Sequence, residues 1–236
     1  MSSLSLASQS AEFLAFLEQW MDDLPVYKAG EVFAAPRRAA VVSVDVINGF
    51  CFFGPLASPR VAAIVDPIAR LFTRAWDSGV RDLLLTQDTH EPDAVEFGQF
   101  PPHCVRGSAE SEPVDAFKAL PFFDAMVILE KNSISSGLNT GLDAWLDAHP
   151  ETDTFVVVGD CTDLCTYQLA MHLRLDANAR QLRRRVIVPR DCVDTYDRPV
   201  EAAQREGGLP HAGDLLHAVF LYHMALNGVE VAAAIH

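Results

Sequence analysis

The stretch "DTFVVVGDCTDLCTYQLAMHL", residues 153–173, decides how this chain is read. A run of β-branched apolar residues breaks at Gly159. Cys161 and Cys165 follow, four positions apart, at the start of a stretch that reads as a helix from about Asp163 to Ala177. A near-continuously apolar strand that turns into a helix is the unit of a parallel sheet buried on both faces. The same pattern recurs on either side. "RAAVVSVDVI" (38–47), "VRDLLLTQD" (80–88), "DAMVILEK" (124–131), "RRVIVPRD" (184–191) and "VEVAAAI" (229–235) read as five more strands. Helices are expected at 10–22, 60–79 despite the internal proline, 140–149, 199–206 and 211–226. The expected fold is α/β: a doubly wound, mostly parallel six-stranded sheet with helices on both faces. No repeat, low-complexity tract or linker divides it, so residues 1–236 read as one domain with an N-terminal helical extension at about 1–35.

Composition narrows the function. Half the residues are hydrophobic, enough for a sizeable core, but no apolar run is long enough to span a bilayer. The start, "MSSLSLASQSAEFL", lacks the basic end and long apolar centre of a signal peptide, so a cytoplasmic protein is expected. With 32 acidic against 18 basic residues the net charge is -14, which disfavours nucleic acid or an anionic membrane as partner. The basic cluster "RQLRRR" (180–185) reads as a solvated helix end. Five cysteines follow no secreted framework and are expected as free thiols. The apolar faces at 10–22 and 211–226 suggest a homo-oligomer.

Ligands of open α/β sheets bind at the carboxyl ends of the strands. Asp45, Asp88, Lys131 and Gly159 fall at four such ends, with Cys165 one helical turn beyond Gly159. Alone, each has a bland reading: a capping Asp, a solvated Lys, a Cys serving as a small hydrophobe. Their coincidence on one sheet edge is the stronger signal. The two cysteines are not spaced as a redox pair, which is usually C-x-x-C, and a zinc clamp lacks two further soft ligands. A nucleophile at a helix N-terminus fits best, because the dipole and free N–H groups favour thiolate. On that reading the Cys165 thiol titrates below its free value. Asp45 takes its proton, Lys131 holds the charges together, and backbone N–H groups of the turn receive an oxyanion.

"QDTHEPDAVEFGQFPPHCVRGS" (87–108) opens a long loop, 89–123, rich in proline and acids. Asp88, His90 and His103 offer a carboxylate and two imidazoles, and Glu96 lies between the histidines. Such mixed ligation suits Zn, Fe or Mn. The bland alternative is a solvated acidic loop with two surface histidines.

These blocks, with "ILEKNSISSGLNTGLDAWL" (128–146), resemble the isochorismatase-like cysteine hydrolases, and among them the nicotinamidase branch, over roughly residues 38–235. The resemblance implies an Asp45–Lys131–Cys165 triad and a divalent transition metal on Asp88, His90 and His103, with Glu96 at a variable fourth position. It places Phe50 and Phe100 where aromatic rings sandwich a planar substrate, although core packing is an equally simple account of Phe50. It also implies a cis peptide joining Asp160 to Cys161, with the N–H groups of Cys161 and Cys165 as the oxyanion site. The chain departs from the family pattern at Ile47, Thr89, Phe100, Asp160–Cys161 and Thr166, positions that bear on the substrate slot. The implied activity is release of ammonia from a small, nicotinamide-like carboxamide through a thioester. Three alternatives stand beside it: a carbamoyl or ureido amide hydrolase of the same family, a hydrolase in which metal-bound water attacks, and a non-enzymatic binding module.

Overall fold

The structure is a computed structural model describing residues 5–236; residues 1–4, part of the stretch read above for a signal peptide, lie outside the described residues. The strands are β1 Val26–Tyr27, β2 Ala39–Val44, β3 Asp82–Asp88, β4 Val127–Lys131, β5 Thr154–Asp160, β6 Arg185–Pro189, β7 Val193–Asp194, β8 Glu230–Ala232 and β9 Ala234–Ile235. The helices are α1 Leu6–Asp22, α2 Ala29–Val32, α3 Asn48–Cys51, α4 Pro59–Ala63, α5 Val65–Asp77, α6 Asp115–Lys118, α7 Leu142–Ala148, α8 Cys165–Ala179, α9 Val200–Glu206 and α10 Gly213–Leu226.

The central sheet runs β4-β3-β2-β5-β6-β8, and every pairing in it is parallel. These are the six strands expected from sequence. A seventh, β7, pairs Gly159 with Val193 at the end of β5. At two residues it is too short to leave a pattern. The last expected strand is divided: Ala233 donates instead to the Pro25 carbonyl at 2.7 Å, and β9 pairs with β1 in a separate two-stranded sheet. The N-terminal segment is thereby tied to the C-terminus. The α1 rings of Phe13, Phe16 and Trp20 surround Tyr222 of α10 at 5.3–5.8 Å, so the two apolar faces cover one another in part. No described helix is long and apolar enough to cross a membrane.

Alternation along each strand feeds two cores. Val41, Val156 and Ile187 pack with Ile68, Leu71 and Phe72 of α5. Val42, Val157 and Val188 pack with Leu169 and Leu173 of α8 and Leu221 of α10. The helix expected at 60–79 is two helices. Pro67 has no N–H for the Ala63 carbonyl and its ring clashes with that turn, so the helix breaks at Ile64, and Pro67 sits in the first turn of α5.

Strand order reverses between β2 and β5, which makes their carboxyl ends the crevice where a ligand fits. Gly159 sits there with φ +115°, and a Cβ at that position would lie 2.0 Å from the Val44 carbonyl oxygen. Only glycine permits so close an approach of β5 to β2.

Candidate active site

Asp45 is the residue after β2. Its amide donates to the Thr86 carbonyl at 2.9 Å and its φ is +57°, a left-handed turn that Asp tolerates. The turn aims its buried carboxylate across the sheet edge. Asp88 ends β3 and donates its backbone N–H to Asp45 Oδ1 at 2.8 Å. Lys131 ends β4, opposite Asp88 in the parallel register. Its ammonium lies 2.7 Å from Asp45 Oδ2, 2.5 Å from Asp88 Oδ1 and 3.7 Å from Cys165 Sγ. A fourth contact, at 3.1 Å, goes to the Ser133 carbonyl. Lys131 is 2 % exposed, so these contacts take the place of the water that an exposed ammonium would have. Asp45 Oδ2 is thus ion-paired with Lys131 and takes no aligned hydrogen bond from another group among the described residues.

The electrostatics follow from burial. Burial opposes charge on Lys131, but Asp45 and Asp88 outweigh it and hold the ammonium charged well past its ordinary range. Burial, then the negative charge of Asp88, raises Asp45 to about 6 against the pull of Lys131. Burial would raise Asp88 too, but the Lys131 ammonium outweighs it and holds the carboxyl below the usual carboxylate range. Burial pushes the Cys165 thiol well up, with Lys131 opposing and Asp45 reinforcing the rise. This corrects the expectation of a depressed thiol. Loss of water around the sulfur outweighs the nearby Lys131 charge, so the resting group is a thiol that needs a base.

The turn between β5 and α8 carries both cysteines. The Asp160–Cys161 peptide is cis, as the resemblance implied. Leu164 and Thr166 donate to the Cys161 carbonyl, whereas the amides of Cys161 and Cys165 donate to no backbone carbonyl among the described residues. Two N–H groups are thus free beside the sulfur. Asp160 is buried, and burial together with Asp45 pushes its carboxyl well above the usual range. The sequence offered no reason to expect a buried carboxyl of this kind next to the turn.

On the far side of Asp88, its Oδ2 faces Nε2 of His90 at 3.4 Å and Nε2 of His103 at 3.7 Å. The two halves of the loop are brought together by a bridge in which His90 N donates to the Cys104 carbonyl and Arg106 N to the His90 carbonyl. His90 Nδ1 donates to Asn132 Oδ1 at 2.9 Å, and His103 Nδ1 to the Pro101 carbonyl at 2.8 Å. Each Nδ1 therefore carries the proton, and each Nε2 presents a lone pair toward Asp88. His90 Nε2 is buried with no hydrogen-bond partner. An orphaned imidazole lone pair beside a carboxylate and a second imidazole, each ring oriented by an outer acceptor, fits a divalent metal. The donor atoms of Asp88, His90 and His103 lie within 4.8 Å of one another. Glu96 is not in this group. It sits in a short 3₁₀ turn, Val95–Gly98. Cys104 is also outside, its sulfur packed toward Gly49. Asp45, Asp88 and Cys165 are equally close together, but the Lys131 ammonium already supplies the positive charge there.

Phe50 and Phe100 present edges to His103 at centroid distances of 5.5 and 6.2 Å. Phe50 also packs in the core, as its simpler reading expected. Phe97, which sequence reasoning passed over, touches both imidazoles, at 5.4 Å from His90 and 5.7 Å from His103. Asn132 was missed as well, and so was the double role of Asp88, shared between the Lys131 cluster and the histidines. The adjacency "Lys131–Asn132" at a strand end was the available signal.

A parallel sheet with this cluster at its switch point is the architecture of a known family, and a family model described as the isochorismatase domain matches residues 39–207. The chain belongs to that family. It is 31% identical to nicotinamidase 1 of Arabidopsis thaliana over 213 residues, covering 83% of this chain and 85% of that protein. Among solved structures it is similar to N-carbamoylsarcosine amidase from Thermoplasma acidophilum, with TM-score 0.61, 26% identity and coverage of 83% and 95% of the two chains. It also shares its fold with the pyrazinamidase of Pyrococcus horikoshii in complex with zinc, with TM-score 0.63, 21% identity and coverage of 83% and 98%.

Proposed function

We propose that this chain, an amide-bond hydrolase of the isochorismatase family, releases ammonia from a small heteroaromatic carboxamide of the nicotinamide type through a thioester on Cys165. The observation that carries the reading is one buried ammonium, Lys131, in reach of both a carboxylate oxygen of Asp45 and the sulfur of Cys165, beside two free N–H groups. The similarity to nicotinamidase 1 supports the substrate class.

Cys165 Sγ attacks the amide carbonyl carbon as its proton passes to Asp45 Oδ2. The N–H groups of Cys161 and Cys165 receive the oxyanion. Asp45 returns the proton to the departing nitrogen, ammonia leaves, and the acyl group remains on sulfur as a thioester. Asp45 then takes a proton from water, whose oxygen adds to the thioester; the acid leaves and the thiol re-forms. Lys131 stays charged throughout and offsets the negative charge that moves between sulfur and Asp45. When bound at Asp88, His90 and His103, a divalent ion of the Zn, Fe or Mn kind supplies Lewis acidity toward a substrate heteroatom. Phe50, Phe97 and Phe100 line that side of the slot and favour a flat ring, aromatic contacts there contributing roughly 0.5–1.5 kcal/mol.

Because Asp45 must begin as a carboxylate, kcat/KM falls as pH falls through about 6, the value to which burial and Asp88 raise it. A pH–rate profile flat from pH 5 to 8 would remove Asp45 from this role. His90→Ala depletes bound metal and raises KM more than it lowers kcat, since the site holds substrate rather than performing the attack. Elemental analysis of the purified variant checks this; full metal content would reject the ligand set.

Substrate choice is tested with nicotinamide, benzamide and ureido acids under one ammonia-release assay. Benzamide keeps the ring and the amide but lacks the ring nitrogen. The proposal expects nicotinamide to be hydrolysed far more efficiently than benzamide. Turnover confined to ureido acids would instead favour the second reading, a carbamoyl-amide hydrolase, which the similarity to N-carbamoylsarcosine amidase supports.

A further inference from the structure

The nucleophile turn is gripped from outside the reacting cluster, by the segment between β7 and α10. The Thr162 N–H donates to the Asp194 carbonyl at 3.0 Å, and Thr162 Oγ1 meets His217 Nδ1 at 2.9 Å. Asp163 Oδ2 meets His211 Nε2 at 2.8 Å. His211 is itself fixed on three sides. Its Nδ1 lies 2.8 Å from the Tyr196 carbonyl, the Tyr196 ring stacks on it at 3.8 Å with 18° between planes, and its backbone exchanges two hydrogen bonds with Arg198. Both ring nitrogens thus face oxygen atoms, one from the segment's own backbone and one from the nucleophile turn. Arg60 fastens the segment in turn, reaching Asp194 at 2.8 Å, the Thr195 carbonyl at 2.8 Å and Asp214 at 2.7 Å. Thr162, Asp163 and His211 are all buried.

None of these side chains touches the reacting atoms, yet Asp163 stands midway between the two N–H groups assigned to the oxyanion. We propose that Asp163 and His211 are paired positioning residues for the hydrolysis. Their hydrogen bond latches the turn against the 194–217 segment and sets the Cys161 and Cys165 amides and the Cys165 sulfur in line with one another. The proposal rests on the thioester reading above. It predicts a loss in rate without a loss in binding, because the contacts of the latch run to the 194–217 segment and include none of the histidines and phenylalanines that would hold the substrate ring.

The test uses Asp163→Asn, His211→Gln and the double variant, all close in shape to the native residues. Each single variant is expected to lower kcat about tenfold or more, with KM within about threefold and metal content unchanged, as slight misplacement of reacting groups does. The double variant should be no slower than the slower single, because the two residues act through one another. Wild-type kcat in either single variant, losses that multiply in the double, or a loss confined to KM would each overturn the proposal. If the Asp163 variant does not fold, Thr162→Val, which cuts only the bond to His217, must show the same split between kcat and KM; unchanged kcat there overturns it. Iodoacetamide alkylation of Cys165, followed by mass spectrometry, separates this inference from the substrate reading. If the wild-type chain releases ammonia from no amide tested, the thioester reading fails. The latch then stands only if alkylation of Cys165 slows about fivefold or more in both singles. Unchanged alkylation overturns it.

Discussion

Cys165→Ala lowers kcat/KM for the amide substrate by about 10⁴-fold or more, the scale seen when the nucleophile of a catalytic triad is removed. Among the described residues no neighbouring group is placed to replace the sulfur. Asp45 and Asp88 are held by the Lys131 ammonium, and the Cys161 sulfur lies toward Asp160, at 3.7 Å. The fold should be undisturbed. Cys165 opens α8 and contributes a small side chain to a core otherwise built from Leu169, Leu173 and Val157, so the melting temperature should stay within about 4 °C of wild type. Cys161→Ala makes the contrast. Its part is played by backbone N–H, so kcat/KM stays within about threefold of wild type. Steady-state kinetics and thermal melts of the two variants settle the comparison. Reversed phenotypes would move the nucleophile to Cys161, and full activity in both would favour attack by metal-bound water.

Lys131→Met has the largest effect on stability. Methionine matches much of the side chain's volume but leaves Asp45 and Asp88 buried and facing each other without a counter-charge. Breaking a buried ion pair from one side costs about 3–5 kcal/mol, or roughly 6–20 °C in a domain of this size. The pH dependence has a definite sign. The Asp45 carboxyl is already raised to about 6, and Lys131 is the group that restrains it. Without the ammonium it rises further, so the cost of the buried charge is present at pH 8 and is relieved as the carboxyl protonates on acidification. The variant should therefore be more destabilised at pH 8 than at pH 5, and any residual activity should have its acid limb moved to higher pH. Denaturant unfolding at the two pH values measures this. A loss below about 1 kcal/mol at pH 8 would mean that the three charges are not coupled as the distances indicate.

Much of this site could be read from the chain because strands in a parallel sheet begin and end at the same level. Apolar runs that stop at Asp45, Asp88, Lys131 and Gly159 therefore announce which residues meet at one edge. The strand order and the short β7 and β1 pairings were not legible. Neither leaves a periodicity, and the second depends on a contact between chain termini. The helix break at Ile64 is local chemistry that Pro67 announces, but apolar periodicity through 60–79 masks it. Inside the site, residue types gave the cluster without its electrostatics. The rise of the Cys165 thiol and of Asp45 comes from burial depth, a tertiary quantity. Glu96 shows the converse. Spacing placed it between two histidines, but the 3₁₀ turn at Val95–Gly98 leaves it outside the group that Asp88, His90 and His103 form. Phe97, four residues before Pro101, was hidden in the same turn. Asp163 and His211 lie 48 positions apart, and nothing short of the fold joins them.

The central claim is that the acyl group passes through Cys165 sulfur, and rapid-quench mass spectrometry during nicotinamide turnover tests it most directly. The account predicts a nicotinoyl thioester on the peptide containing Cys165, forming and decaying with turnover and absent in Cys165→Ala. Continued hydrolysis with no adduct in the wild type and undiminished turnover in Cys165→Ala, or an adduct on another residue, would contradict it.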